Sequence, residues 1–277
     1  MTKPSPHSEP LLNLDDSITA LTPPPEFVER ARELGVEFEE GDVERLGLYL
    51  AILLRANERL NLTAITDPAA AWNRHILDSL TLVPILAQVA QDGAPEGPES
   101  GSSGGIRVID VGTGGGVPGM PLAVVLPRIH MTLLEATGKK AQFLTEAVRR
   151  LGLSNTSVVC ERAERAGQDH RAHRERYDVA IARALGPMAV LTELTAPLVK
   201  PGGFVLAVKG ARAADELEEA KKAMGLLGVR HVQTIDTPTG KIVVLEKTTR
   251  TPRLYPRRDG EPKRSPLGVD KRSTREG

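Results

Sequence analysis

Cysteine is nearly missing: the 277-residue chain has one, Cys160. One thiol excludes an intramolecular disulfide, and it leaves this chain alone unable to hold a zinc ribbon or an iron–sulfur cluster. With the histidines scattered as well, no metal site is expected. Aromatic residues are scarce, 3% of the sequence and 8 in all, so base stacking cannot be the main mode of any nucleic-acid binding. No run approaches the roughly 18 apolar residues of a membrane-spanning helix. The opening MTKPSPHSEP lacks the apolar stretch of a secretory signal, so the cytoplasm is the expected compartment.

What is present is unevenly spread. Net charge is zero, yet residues 1–99 hold 7 Lys and Arg against 17 Asp and Glu, and the remainder carries the opposite excess. The last 28 residues, from Arg250, carry 9 basic and 4 acidic side chains. Such polarity indicates either a polyanion met by one part of the molecule or a solvated tail.

Residues 1–25 read as a flexible leader ending in Pro23-Pro24-Pro25, and 26–91 as an acidic helical region. A first helix is expected from Glu26 to Gly35. A second is expected from Asp42, an N-cap candidate, to Glu58, with Leu46, Leu50, Leu53 and Leu54 on its buried face. Asp67-Pro68 opens a third, reaching toward Val89. Residues 92–105, DGAPEGPESGSSGG, have no apolar side chain larger than Ala and form a linker. Residues 106–249 form the α/β domain, and 250–277 a basic tail.

In the α/β domain, strand candidates at Arg107–Val111, His130–Ala136, Thr156–Cys160, Tyr177–Ala182 and Gly203–Lys209 alternate with helical stretches. That alternation predicts right-handed crossovers and a mainly parallel sheet. Two final strands, Val229–Ile235 and Ile242–Glu246, are too close for a crossover and should be antiparallel. A parallel sheet ending in an antiparallel hairpin is the layout of S-adenosylmethionine (SAM)-dependent methyltransferases. The expected fold is therefore α/β, Rossmann-like class I, with seven strands, an antiparallel last strand and added N-terminal helices.

The strongest local signal is Val108-Ile109-Asp110-Val111-Gly112-Thr113-Gly114-Gly115-Gly116-Val117-Pro118-Gly119. Glycines admit a ligand close to the backbone, and the following helix offers free N–H groups. A dinucleotide fingerprint counted from Gly112 needs a third glycine where Val117 stands. The spacing instead reads Asp110-x-Gly112-x-Gly114-x-Gly116, the form that surrounds the amino-acid part of SAM. Asp110, Gly112, Thr113 and Gly114 are the expected contacts, with Asp110 holding backbone amides or the ligand ammonium. Glu135, closing the second strand, suits ribose hydroxyls, with Ala136 and Thr137 beside it. Ala163 and Glu164, after the third strand, border the expected adenine position.

The fourth strand ends Ile181-Ala182-Arg183-Ala184-Leu185, without the Asn/Asp-Pro-Pro-aromatic run of exocyclic-amine methylases. Methylation at a pyrimidine carbon needs a cysteine nucleophile, but Cys160 falls in a predicted strand and is expected to be a small buried hydrophobe. A ring nitrogen with a free lone pair, such as guanine N7, needs neither device, only proximity and in-line orientation. Arg183 and Lys209, at the ends of the fourth and fifth strands, are the expected catalytic residues. With Lys139-Lys140 they place positive charge at three strand ends. In Arg74-His75-Ile76-Leu77-Asp78-Ser79, Arg74 and Asp78 can pair one helical turn apart. The proline-interleaved tail suits an extended arm on a phosphate backbone. These residues alone also admit a small-molecule or protein methyltransferase, or a non-enzymatic ribosome-assembly module.

Taken in order, Asn61-Leu62-Thr63, Arg74 to Ser79, Ile109 to Gly114, Val117 to Leu122, Gly138-Lys139-Lys140 and Ala182-Arg183-Ala184 resemble the bacterial 16S ribosomal RNA guanine-N7 methyltransferases, the RsmG or GidB family. Leu254-Tyr255-Pro256-Arg257-Arg258 with Pro262 resembles a tail found in part of that family. The resemblance covers about residues 26–268. It implies methyl transfer from SAM to N7 of one guanine in the decoding-centre loop of 16S rRNA; the expected partner is 16S rRNA or the small ribosomal subunit, and the expected state a monomer. It also implies SAM contacts at Gly112, Val117, Glu135, Ala136, Thr137, Ala163, Glu164 and Arg183. Asn61, His75, Asp78 and Lys209 match positions usually shared, and Asn61, His75, Asp78 and Lys139 are taken as substrate or lid candidates. The 92–105 insertion and the leader have no counterpart in a typical member, and peripheral effects are expected of them.

Overall fold

Short runs, mostly apolar except for the largely exposed edge run Val229–Thr237, form the strands of one seven-stranded sheet. In the computed structural model, which describes residues 17–92 and 105–268, they are β1 (Arg107–Val111), β2 (His130–Leu134), β3 (Thr156–Val159), β4 (Tyr177–Arg183), β5 (Val199–Lys209), β6 (Val229–Thr237) and β7 (Gly240–Lys247). The order is β3-β2-β1-β4-β5-β7-β6. Strands β1 to β5 pair in parallel, and β7 runs antiparallel between β5 and β6. The hairpin is tighter than expected, with only Pro238-Thr239 between the two strands.

The helices are α1 (Phe27–Glu33), α2 (Asp42–Leu60), α3 (Pro68–Ala71), α4 (Asp78–Leu80), α5 (Val83–Asp92), α6 (Gly119–Val125), α7 (Gly138–Arg150), α8 (Ala163–Ala166), α9 (Met188–Thr195), α10 (Ala213–Leu227) and α11 (Glu261–Arg264). Among the described residues, no helix is long and apolar enough to cross a membrane.

Alternate strand residues point to opposite faces. Val108, Leu133, Val179, Ile181 and Leu206 meet Leu46, Leu50, Leu53, Trp72 and Ile76 of the N-terminal helices in one core. Ile109, Val111, Ala180, Ala182, Val205 and Ala207 meet α9 and α10 in the other. The N-terminal helices are thus a layer of the sheet's own core. Each fully buried leucine or isoleucine there contributes about 1.5–3 kcal/mol.

Several local expectations need correction. Gly41, at φ 86°, caps α2, and Asp42 is the first helical residue. The Asp42 carboxylate turns back to accept the Glu39 N–H at 2.8 Å and pairs with Arg45 at 2.6 Å. Asp67 does cap α3, accepting from the Ala70 N–H at 2.8 Å. The expected single helix to Val89 is broken, however: a π-helical stretch, Trp72–Leu77, separates α3 from α4, and a turn precedes α5. Cys160 is exposed rather than buried. Strand β3 ends one residue before it, and as the edge strand it has a neighbour on one side only.

The basic tail, as far as it is described, is no free arm. The Arg257 guanidinium closes on Glu193 at 2.6 and 2.8 Å, and its backbone N–H donates to the same carboxylate at 2.9 Å. Glu193 is fully buried on α9. Arg174 donates to the carbonyls of Thr251 and Tyr255 at 2.8 and 2.7 Å. Pro256 packs so closely on Gly167 that a Cβ there would lie 2.7 Å from its Cγ. Residues from Thr251 to Arg264 form a strap across α8 and α9.

Candidate functional site

The glycine loop is built from below. Asp110, on β1, accepts from the Thr113 hydroxyl at 2.5 Å and from the Gly119 N–H at 2.9 Å through one oxygen, Oδ2. It therefore ties the loop to the start of α6. Only glycine fits at position 119, because a Cβ would meet Leu133 at 2.4 Å and Asp110 Oδ2 at 2.9 Å. The other Asp110 oxygen, Oδ1, is buried without a partner. Burial pushes the Asp110 pKa up to about 6, with the two hydrogen bonds pulling against it. From α2, the Tyr49 hydroxyl donates to the Gly115 carbonyl at 2.8 Å.

At the end of β2, Glu135 holds the loop from the other side. Its carboxylate accepts the Gly114 N–H at 3.0 Å and the Thr137 N–H at 2.8 Å. Gly112, at φ 69°, lies exposed above Leu134, and a Cβ there would fall 2.7 Å from Leu185. The result is a cleft of about 320 Å³, lined by Gly112, Glu135, Ala136, Thr137, Ala163 and Glu164, with Leu185 and Lys263 as further wall residues. Six expected contacts thus converge. Thr113, Gly114 and Val117 belong to the loop beside the cleft rather than to its walls. Glu164 is already engaged, accepting the Gly260 N–H of the strap at 2.7 Å with Arg162 3.6 Å away.

A second cleft, of about 370 Å³, adjoins the first at Ala184, which lines both. It is bounded by Arg74, Asp78, Arg183, Lys209, Thr239 and Gly240. Arg183 lies here and not among the walls of the first cleft, where the resemblance placed it as a SAM contact. Its guanidinium donates to the Arg74 carbonyl at 2.9 Å. Burial lowers its pKa, while Asp78, Tyr49 and Asp110 work to raise it. Burial likewise raises the pKa of Asp78, opposed by its hydrogen bond from Thr239 and by Arg74.

Lys209 is spent differently from expectation. Its ammonium donates to Glu216 at 2.5 Å and to the Gly186 carbonyl at 2.7 Å, and Glu216 also accepts the Met188 N–H at 2.9 Å. This clamp fixes the turn after β4, in which Ala184 takes a left-handed φ of 55°.

The remaining candidates stand apart from both clefts. His75 is buried, with Nε2 2.8 Å from the Thr63 hydroxyl and Nδ1 without a partner. Burial and the Arg183 charge lower its pKa to about 4, so it is neutral at physiological pH. Asn61 ends α2 at a left-handed φ of 49° and is exposed. Lys139 is exposed in the first turn of α7. Sequence reasoning missed Tyr49, which sits among the apolar residues of α2 and reads as core. It also missed Leu185, Thr239 and Lys263, which reach the clefts only through the turn, the hairpin and the strap.

The reversed seventh strand inserted between β5 and β6, over a glycine turn after β1, defines the Rossmann-like class I SAM-dependent methyltransferase fold. A family model described as "GidB: rRNA small subunit methyltransferase G" matches residues 42–242. Three curated relatives, each named "Ribosomal RNA small subunit methyltransferase G", are similar over most of their length. That of Sorangium cellulosum is 45% identical over 86% of this chain and 93% of its own. Those of Alkaliphilus metalliredigens and Staphylococcus carnosus are 38% and 35% identical, over 85% and 87% of this chain and 95% and 97% of their own. The chain belongs to the rRNA small subunit methyltransferase G (GidB) family.

Proposed function

We propose that this protein transfers a methyl group from SAM to N7 of a guanine in the decoding-centre loop of 16S ribosomal RNA. The observation that carries the reading is the pair of adjoining clefts: one has the carboxylate and glycine backbone suited to an adenosyl amino acid, the other is edged by Arg74 and Arg183. Family membership supports an RNA substrate. The same reading takes free rRNA or the small subunit as the partner, met by a cytoplasmic monomer.

The residues of the first cleft fit the cofactor. Glu135 has acceptor capacity left after its two amide bonds, enough for ribose hydroxyls. Gly112 leaves the space beside Leu185 that a side chain would fill. Gly112, Ala136, Thr137, Ala163 and Glu164 would complete the cradle, and Asp110 and Thr113 would hold the loop's shape beneath it. When bound, SAM supplies a methyl carbon made electrophilic by the adjoining sulfonium.

Guanine N7 has a lone pair and no proton, so the chain needs no general base. That suits a cleft lined by no histidine among the described residues, whose Lys209 is locked in an ion pair. The chain's contribution is orientation, which can be worth several kcal/mol of barrier. Arg183 and Arg74 would hold the acceptor guanine, through O6 or its phosphates, against the edge shared with the first cleft. Lys209 would act indirectly, as the positioning residue of the Ala184–Gly186 turn.

The test is methyl transfer from radiolabelled SAM to 16S rRNA or to small subunits from a strain lacking this gene. The product is then mapped by cleavage selective for 7-methylguanine. One cleaved site in the decoding-centre loop is expected. Label without cleavage would overturn the N7 assignment, and no label on any RNA form would overturn the RNA substrate.

A further inference from the structure

The first cleft has one wall that the match to the family model does not reach. That match ends at residue 242, and Lys263 lines the cleft. Lys263 belongs to α11, a single turn held in place by contacts on either side of it. Immediately before the turn, the Gly260 N–H donates to Glu164 Oε1 at 2.7 Å, and Glu164 is itself a wall of the cleft. Pro262, next to Lys263, is buried. Farther back, the buried Arg257–Glu193 pair anchors the strap to α9, and Arg257 also donates to the Ser265 carbonyl at 2.8 Å, closing α11 from beyond.

The Lys263 ammonium itself makes no ion pair or hydrogen bond among the described residues, in contrast to Lys209, Lys247 and Arg257, each of which is hydrogen-bonded within the fold. Its neighbours in the cleft do not claim it. Glu164 is committed to Gly260 and Arg162, and Glu161 to Arg165 and its own neighbour's amide. A backbone fixed this firmly, carrying an uncommitted cation in the wall of a ligand-sized cleft, is built to meet an acceptor inside it.

We propose that the C-terminal strap is part of the cofactor site, with Lys263 as a binding residue that donates to the adenosine moiety of the ligand. This rests on the SAM reading of the first cleft. The adenosine is the part addressed because α11 is tied through Gly260 to Glu164 of α8, the wall expected to border the adenine. Adenine ring nitrogens and ribose oxygens are acceptors with no charge to repel an ammonium. The strap thereby couples the fold of the tail to cofactor affinity.

Truncating the strap would expose Glu193 and Arg174 and risks unfolding, so the test uses Lys263→Met and Lys263→Arg in the full chain. Isothermal titration is carried out with SAM and with S-adenosylhomocysteine, which share the adenosine and differ in charge at sulfur. Wild type is expected to bind both. Lys263→Met should bind both about five- to tenfold more weakly, the loss of one charge-assisted hydrogen bond at a partly open site, and Lys263→Arg should stay within about twofold. Because Lys263 is exposed, the melting temperature of either variant should match wild type. Dissociation constants for Lys263→Met equal to wild type would overturn the role of the strap while leaving the cofactor reading intact. A wild-type chain that binds neither ligand would overturn the cofactor reading itself.

Discussion

The Thr239 hydroxyl donates to Asp78 Oδ1 at 2.6 Å, joining the tip of the β6–β7 hairpin to the helical layer 161 residues earlier. Both residues line the second cleft, and Arg74 lies 3.7 Å from the other Asp78 oxygen. The bond adds a polar tie between the hairpin tip and a helical layer that already share one apolar core. Thr239→Val keeps the shape and removes the donor. Because the site is exposed, the stability cost should stay below about 1 kcal/mol. The expected outcome is unchanged SAM affinity with a reduced kcat/KM for RNA. Equal loss on both measures would show that the two clefts are not separable.

Arg183 is the residue on which the substrate reading depends most. It contacts the Arg74 carbonyl and sits in the field of Asp78, Tyr49 and Asp110. Arg183→Ala is expected to lower methyl transfer about a hundredfold, the scale for removing one oriented cationic donor from a reaction site. Arg183→Lys should recover little, since an ammonium cannot reproduce the planar fork. The circular dichroism spectrum should be unchanged. Unchanged turnover in Arg183→Ala would remove this residue from the substrate site.

The parallel strands were readable because buried parallel strands are continuous apolar runs that end in turn residues, and the antiparallel pair because too few residues separate β6 from β7 for a crossover. The β1 loop was legible for the same reason: Asp110, Gly112 and Gly119 each answer a local requirement of φ, cap or close approach. Arg183 and Lys209 were legible as charges at strand ends, but their partners were not. Glu216 lies on another helix, and nothing in its neighbourhood announces a clamp. Cys160 was misread because an edge strand and a central strand share one residue pattern. The tail was misread because proline and arginine describe a solvated arm as well as a strap. Glu193, the buried acid that decides between them, sits unmarked within α9.

The strap's anchor should dominate local stability. Arg257→Ala leaves the Glu193 carboxylate fully buried and without its guanidinium. Breaking a buried pair from one side costs about 3–5 kcal/mol, or roughly 10 °C in melting temperature for a chain of this size. Glu193→Leu combined with Arg257→Leu should be less destabilised than Arg257→Ala alone, because no charge is then stranded. Thermal unfolding monitored by circular dichroism checks the order. A melting temperature for Arg257→Ala within about 2 °C of wild type would mean that the strap is not held by this pair.

Two buried groups give the protein opposing pH responses. His75 has a pKa near 4 in the fold against an ordinary 6.5. Between those values the unfolded chain binds a proton that the folded chain does not, so acidification removes stability, roughly 3 kcal/mol in all. Asp110 is shifted the other way, to about 6 from 3.8. Between those values the folded chain holds the extra proton, so acidification adds stability and neutral pH withdraws it, by a similar amount. The two slopes oppose each other from pH 6 to pH 4. Asp110→Asn, which can still accept from Thr113 and Gly119, should therefore be more stable than wild type at pH 7 and should lose that margin steeply as pH falls. His75→Asn should show the reverse slope relative to wild type. Urea unfolding at pH 7, 6 and 5 measures both, and curves parallel to wild type for the two variants would mean that neither group titrates with the fold.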